Sequence, residues 1–267
     1  MLAVAAAGAF GLLAYVYLTL PDVRQLARQN PTTTAWMEMR RREREAAGRP
    51  VRHEQRWVSY ARISQHLKRA VIVTEDSAFW EHEGIDLEQI RESMEVNLEK
   101  GTAARGASTI TQQLAKNLYL SPSRNPIRKF RELIIARRLE ATLSKARIFE
   151  IYLNVIEWGD GVWGAEAAAR RYFGIPASAL APEQAALLAG AIINPRVLNP
   201  AHPTGRLLRR QRIIMSRMGT VTPPAPIFAP AESLPPVPPG EPVPVVPAEA
   251  PPPPEVPKPC PVPPCSP

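Results

Sequence analysis

Cysteine is nearly absent from this 267-residue chain: Cys260 and Cys265 are the only two, and both lie close to its C-terminal end. A disulfide between them would close a tiny loop and say nothing about a core. Histidine is scarce as well, and His53, His66, His82 and His202 are scattered without the spacing of a zinc site. There is no phosphate-cradling glycine loop, and Ser108 stands in no nucleophile elbow. Alternating apolar and polar runs long enough for strands are missing, as is any internal repeat. The formal net charge is +8, yet no RNA- or DNA-binding signature accompanies it, so nucleic acid is not an expected partner.

The two ends of the chain differ from its middle. Residues 2–20 (LAVAAAGAFGLLAYVYLTL) carry no charge. A helix of about 20 apolar residues spans the hydrocarbon core of a bilayer, and Tyr15 and Tyr17 fit the aromatic belt at its edge. A cleavable signal peptide would show a charged leading region and a small-x-small site before the cut; the charged region is missing and no convincing site of that kind precedes Pro21. Residues 1–20 therefore read as a retained transmembrane anchor. Arg24 and Arg28 follow it, and the positive-inside rule taken alone turns them toward the cytoplasm. Residues 21–55 form a basic juxtamembrane segment in which Arg40, Arg41, Arg42, Arg44, Arg49 and Arg52 are interspersed with Glu38, Glu43 and Glu45. A solvated charged helix explains the glutamates, and a cationic surface beside a membrane attracts anionic headgroups. Residues 220–267 hold most of the 31 prolines and predict a disordered or polyproline-II-like tail. One folded domain is expected over residues 56–219.

Within that domain the apolar spacing is helical nearly throughout. Ile63, Leu67, Ala70 and Val71 mark one helix, and Ile90, Met94 and Leu98 a second, opened by Asp86 and closed at Lys100-Gly101. Residues 108–120 give a third, and residues 127–144 a fourth behind Pro126. A fifth runs over 145–159, and alanine-rich helices over 165–173 and 182–193 end at Gly174 and Pro195. The predicted class is all-α (mainly α) with negligible sheet.

Three blocks carry chemistry. The densest is GASTITQQLAKN, residues 106–117, where hydroxyls, then paired amides, then one cation crowd a helix start. Thr109 followed by Gln112 reads as a capping box. Capping leaves Ser108, Thr111, Gln113, Lys116 and Asn117 unaccounted for, and that set suits a sugar carrying a phosphate. The second block is EDSAFWEHEGID, residues 75–86. Glu75 and Asp76 follow the apolar run Ala70-Val71-Ile72-Val73, and a carboxylate at the end of a buried element has its pKa raised by desolvation. Such a base can take a proton from a sugar hydroxyl near neutral pH; Asp86 reads as a helix cap. In the third block, Glu132 shares a helix face with Arg128 and Lys129. Counting Arg124 and Arg131, the cations exceed what one glutamate balances, and a second anion such as a pyrophosphate would complete the set.

In this order the blocks closely resemble the monofunctional biosynthetic peptidoglycan transglycosylases of glycosyltransferase family 51. RKFRELIIARRLE (128–140), SKARIFEIYLNVIEWGDGVWGAEAAARRYFG (144–174) and AALLAGAIINPRVLNP (185–200) extend the resemblance to about residues 67–199. No transpeptidase sequence follows, which separates it from the bifunctional class. The resemblance implies a lysozyme-like helical fold lying against a membrane, and polymerisation of lipid II into glycan strands. Glu75 matches the general base for the 4-hydroxyl of the acceptor N-acetylglucosamine; attack at C1 of the donor muramic acid inverts that centre and releases undecaprenyl pyrophosphate. Glu132 matches the second essential glutamate, which organises the pyrophosphate directly or through a divalent cation (Mg or Mn). Asp76, Phe79, His82, Gly84, Ser108, Thr109, Gln112, Gln113, Lys116, Asn117, Arg124, Arg128 and Lys129 match substrate-binding positions. No organic cofactor is implied. The implied location is the outer, periplasmic face of the bacterial cytoplasmic (inner) membrane, opposite to what Arg24 and Arg28 suggest, with the tail free to bind cell-wall synthesis proteins.

The resemblance leaves two other readings to be tested. A lytic enzyme cutting the same polymer uses a similar pair of carboxylates, but has less need for Arg124, Arg128 and Lys129. A catalytically silent, membrane-anchored interaction protein would not need Glu75 and Glu132 together.

Overall fold

The computed structural model describes residues 18–101, 106–122 and 125–220, with isolated positions before residue 18. Most of the expected anchor, Arg124 and the proline-rich tail from residue 221 lie outside the described residues. Among the described residues, no helix is long and apolar enough to cross a membrane.

Nine α-helices are present among the described residues: α1 (Ala35–Ala46), α2 (Gln65–Glu75), α3 (Leu87–Lys100), α4 (Ile110–Tyr119), α5 (Pro126–Thr142), α6 (Lys145–Val155), α7 (Ala165–Phe173), α8 (Pro182–Ala191) and α9 (Gly205–Arg217). Three short strands, β1 (Glu54–Gln55), β2 (Glu157–Gly159) and β3 (Val162–Trp163), form a sheet in the order β1-β3-β2. The mainly helical class read from the sequence therefore holds. One boundary differs: the helix expected over 145–159 stops at Val155, and residues 157–163 turn back as a hairpin. Gly164 closes this corner with φ +82°, and a Cβ there would stand 2.7 Å from the carbonyl oxygen of Asn154, so the turn requires glycine.

Local chemistry sets most helix starts. The hydroxyl of Ser64 accepts from His66 N–H at α2, Asp86 from Gln89 N–H at α3, Thr109 from Gln112 N–H at α4 and Ser144 from Arg147 N–H at α6. At α5, Asn125 Oδ1 accepts from Ile127 N–H, and Pro126 occupies the first turn. Gly101 and Gly174 end α3 and α7 in the left-handed conformation.

The core lies where α4 packs on α5 and α6, and where α2 and α9 pack on α8. Leu67, Val71, Ile110, Leu114, Ile135 and Ile151 are fully buried there. Alanines 167–169 and 185, 186 and 189 let α7 and α8 approach their neighbours closely. Phe149 sits at the centre of an aromatic cluster with Tyr60, Phe79, Trp80 and Tyr152. Asn154 is fully buried and fastens the loop ahead of α2: its amide accepts from Val58 N–H and donates to Val58 C=O.

Residues 21–55 pack onto this domain. Val23, Leu26 and Met37 join the core, and α1 lies on α4. Arg147 of α6 donates to the carbonyls of Leu26 and Gln29 and to Asn30 Oδ1, while Arg131 of α5 holds Thr19 through both its hydroxyl and its carbonyl. The arginine-glutamate pattern of α1 reads partly as expected, since Arg41 pairs with Glu38 and Glu45 at the surface. Arg40, however, turns inward to Glu157 of the hairpin.

Lys68 departs from the core's apolar pattern. Its side chain is fully buried, its Nζ finds no hydrogen-bond partner and stands 4.0 Å from the Tyr60 ring centroid. Burial lowers its pKa to about 8. The folded state then binds this proton less tightly than the unfolded state, so its contribution makes stability rise as pH climbs from about 8 toward the ordinary value of 10.5. Lys68→Met keeps the volume without the charge. We expect it to be stabilising at pH 7 by about 1 kcal/mol, and to flatten that pH dependence; thermal melts from pH 7 to 10.5 read both effects.

Candidate active site

Glu75 is the last residue of α2, and the helix ends because Asp76 leaves it. The Asp76 carboxylate is buried and accepts the N–H of Ile110, the first residue of α4, at 2.9 Å. It also faces His82 Nε2 at 3.0 Å. His82 Nδ1 accepts from Gly84 N–H, which leaves Nε2 as the donor toward Asp76. The Gly84 carbonyl in turn accepts from the Thr109 hydroxyl and from Gln112 Nε2. Gly84 has φ +85°, and a Cβ there would lie 2.9 Å from the Glu140 side chain.

This knot fixes the start of α4 against the end of α2, and it corrects the capping-box reading. Thr109 caps the helix as expected, but the Gln112 side chain does not turn back to the Thr109 N–H. It is spent on Gly84 and on Lys129, whose Nζ donates to Gln112 Oε1 at 2.8 Å.

Glu75 is half-buried and opens onto a cleft of about 670 Å³ lined also by Asp76, Ser108, Gln113, Arg210 and Arg217. Gln113, one turn into α4, donates from Nε2 to Glu75 Oε2 at 3.0 Å and accepts at Oε1 from the Tyr152 hydroxyl at 3.1 Å. Burial raises the Glu75 pKa; the Gln113 hydrogen bond and the charges of Arg210 and Lys116 oppose the rise without cancelling it. Burial also holds Tyr152 well above the usual phenol range, so it remains a neutral donor.

Glu132 on α5 is buried, and its two oxygens accept from Arg128 and Lys129. Lys129 reaches across to α4, to Gln112 and, at 3.4 Å, to Ser108 Oγ on the cleft wall. On the other side of Gln113, Lys116 and Asn117 line a second cavity of about 300 Å³. Burial lowers the Lys116 pKa while Glu132 opposes the fall.

The predicted residues thus divide by position. Glu75, Ser108 and Gln113 share the cleft; Lys116 and Asn117 line the adjoining cavity; Gln112, Arg128, Lys129 and Glu132 form one polar group between α4 and α5. His82, Gly84 and Thr109 lie in the knot that fixes α4, with Asp76 at the floor of the cleft. Phe79 is fully buried in the aromatic cluster. Arg124 lies outside the described residues. Sequence reasoning missed Tyr152, which passed as one more apolar position of α6, and Arg210 and Arg217. Their signal was available: the two arginines stand seven residues apart, on one face of α9.

Two groups bear on a metal. Asp76, His82 and Asp86 bring ligand atoms within 4.8 Å of one another, but Asp76 is engaged by Ile110 N–H and His82, and Asp86 by Gln89 N–H. Around Glu132 the donor set is one carboxylate facing two cations, which does not fit a divalent ion held by protein oxygens.

The transglycosylase family profile matches residues 43–219. The chain is 52% identical over 191 residues to the biosynthetic peptidoglycan transglycosylase of Nitrosomonas eutropha, covering 72% of this chain and 78% of that protein. It is 50% identical over 192 residues to the protein of the same name from Laribacter hongkongensis (72% and 84% covered), and 51% identical over 189 residues to that of Dechloromonas aromatica (71% and 82%).

The Tyr152–Gln113–Glu75 relay gives a direct expectation. In Tyr152→Phe the Gln113 amide loses the contact that orients it, and Glu75 loses part of the donation that keeps its pKa from rising further. The acid limb of the rate-pH profile should move up by as much as about one pH unit, the worth of one neutral hydrogen bond.

Proposed function

This chain belongs to the transglycosylase family and is a peptidoglycan glycosyltransferase, and we propose that it joins lipid II units into glycan strands with Glu75 as general base. The observation that carries this is the placing of Glu75: a half-buried carboxylate with a raised pKa, open to a cleft and aimed by Gln113. Glu75 takes the proton of the acceptor's 4-hydroxyl, that oxygen forms a bond to C1 of the donor, and the bond from C1 to the pyrophosphate oxygen breaks with inversion. The departing group carries negative charge, and cations already in place stabilise it best. Lys129 and Arg128, held by Glu132, and Lys116 supply that charge. A sugar leaving group, as in a lytic enzyme, would make little use of them.

Membrane apposition belongs to the same proposal. Leu87, Met94 and Leu98 on α3 and Ile127 and Phe130 on α5 are exposed large apolar side chains, which supports contact with a bilayer. Residues 1–20 act as a single-pass anchor, the catalytic domain lies on the outer face of the cytoplasmic membrane, and the proline-rich tail serves as a spacer or a ligand for cell-wall synthesis proteins.

Purified protein with labelled lipid II tests the reaction: polymer is expected, whereas cleavage of finished glycan without polymerisation would establish the lytic alternative. Glu75→Gln should lower turnover by about 10²- to 10⁴-fold, the usual worth of a general base. A carboxylate whose folded pKa is raised loses stability as pH rises through that range, so the same variant should melt higher than the parent at pH 7. A variant that is both inactive and less stable would point to a structural role for Glu75.

A further inference from the structure

Away from the cleft and the second cavity, a groove of about 550 Å³ runs between the sheet and α7. His53, Glu54, Gln55 and Arg56, a run that contains β1, line one side of it; Ala167, Arg170 and Arg171 of α7 line the other. The two arginines lie three and four residues beyond Ala167, so all three share one helix face. The glycosyl transfer described above uses none of these residues.

The charge of the groove is unbalanced. Arg56 is exposed and pairs with no carboxylate among the described residues. Arg171 Nη1 stands 3.6 Å from Glu54 Oε1, beyond hydrogen-bonding distance, and both side chains are about half exposed. Arg170 donates from Nε to Glu166 at 2.6 Å, and the other oxygen of Glu166 accepts the Ala177 N–H at 2.7 Å. Glu166 is not part of the groove lining, so it holds the Arg170 guanidinium in place from behind. Three guanidiniums thus line the groove with one glutamate. A guanidinium takes a carboxylate through two parallel N–H groups, and a surface where cations outnumber anions draws such a ligand in.

The shape narrows the ligand further. β1 is the edge strand of the sheet, with β3 on one side only, and an exposed strand edge accepts an added extended segment. Four consecutive residues along one wall give the groove a length of about 10 Å at the rise of a strand, more than a single small anion fills. An extended segment carries alternate side chains on one side, so acids at every second position would all turn toward the arginines.

We propose that this groove docks an acidic, extended segment of another protein, with its carboxylates on Arg56, Arg170 and Arg171. Arg56 and Arg171 supply the N–H groups that no close carboxylate occupies, and Arg170 supplies a guanidinium already fixed by Glu166.

Fluorescence anisotropy of the full-length, detergent-solubilised protein with a labelled hexapeptide of alternating glutamate and threonine tests it, with the glutamine-threonine hexapeptide as comparison. The acidic peptide should bind, less tightly as salt is raised, and the neutral peptide should bind at least about 10-fold more weakly. Arg56→Gln combined with Arg171→Gln should weaken acidic-peptide binding about 10-fold, the scale of two exposed charge pairs. Arg206→Gln combined with Arg212→Gln removes the same charge from α9, which packs on α8 and α2, and should leave binding within about twofold of the parent. No binding of the acidic peptide, a groove variant that binds like the parent, or an equal loss in the α9 variant would overturn the docking site. So would calorimetry in which inorganic phosphate binds the parent, but not the groove variant, while the peptide fails to bind, since that marks a site for a small oxyanion. Should the double variant fail to fold, Arg56→Gln alone decides, because Arg56 gives up no ion pair among the described residues.

Discussion

The buried carboxylate of Asp76 takes the first amide of a helix that begins 34 residues later in the chain. A negative charge at a helix N-terminus is favoured by the unpaired N–H groups and the helix dipole, and here it joins two helices that share no loop. Glu75 precedes Asp76, and Gln113 lies three residues beyond Ile110, so the one contact brings the Glu75 carboxylate and its orienting amide together. The Gly84 carbonyl closes the same junction from the other side through Thr109 and Gln112. A shift of α4 by one residue would break all of these at once. The geometry around Glu75 is therefore a consequence of how α4 is capped.

From that fixed start α4 distributes its side chains in three directions. Gln113 points to Glu75, Gln112 to Lys129 and Lys116 to the second cavity. Burial acts on two charged groups of the site in opposite senses, raising the pKa of Glu75 and lowering that of Lys116. Glu132 serves differently: with Arg128 and Lys129 on its two oxygens, it sets where the cations stand.

Much of this was legible in the residues. Thr109 and Asp86 announced their helix starts, the apolar run ahead of Glu75 announced its desolvation, and the spacing of Arg128, Lys129 and Glu132 announced their pairing. Other features depended on contacts between segments far apart in the chain. Nothing local says that Gln112 will serve Gly84 and Lys129 in preference to its own helix cap, or that Tyr152 will orient Gln113. The inward turn of Arg40 to Glu157 joins residues 117 positions apart, so a sequence pattern could show only a charged helix. Residues 157–163 misled for a local reason: Ile156 and Trp158 continue a helical apolar pattern, while the glycines at 159, 161 and 164 favour the turn that forms.

The double hold of Arg131 on Thr19 also has a mechanical meaning. Arg131 and Glu132 are consecutive on α5, about 100° apart around its axis, so the chain arriving from the N-terminus is tied to the helix that carries Arg128, Lys129 and Glu132. Arg147 repeats the tie on α6 a few residues further on. On the proposal that residues 1–20 sit in a bilayer, these ties would make the domain a rigid head at a fixed height, not a body on a loose leash. Its search for the next substrate would then be a search in two dimensions.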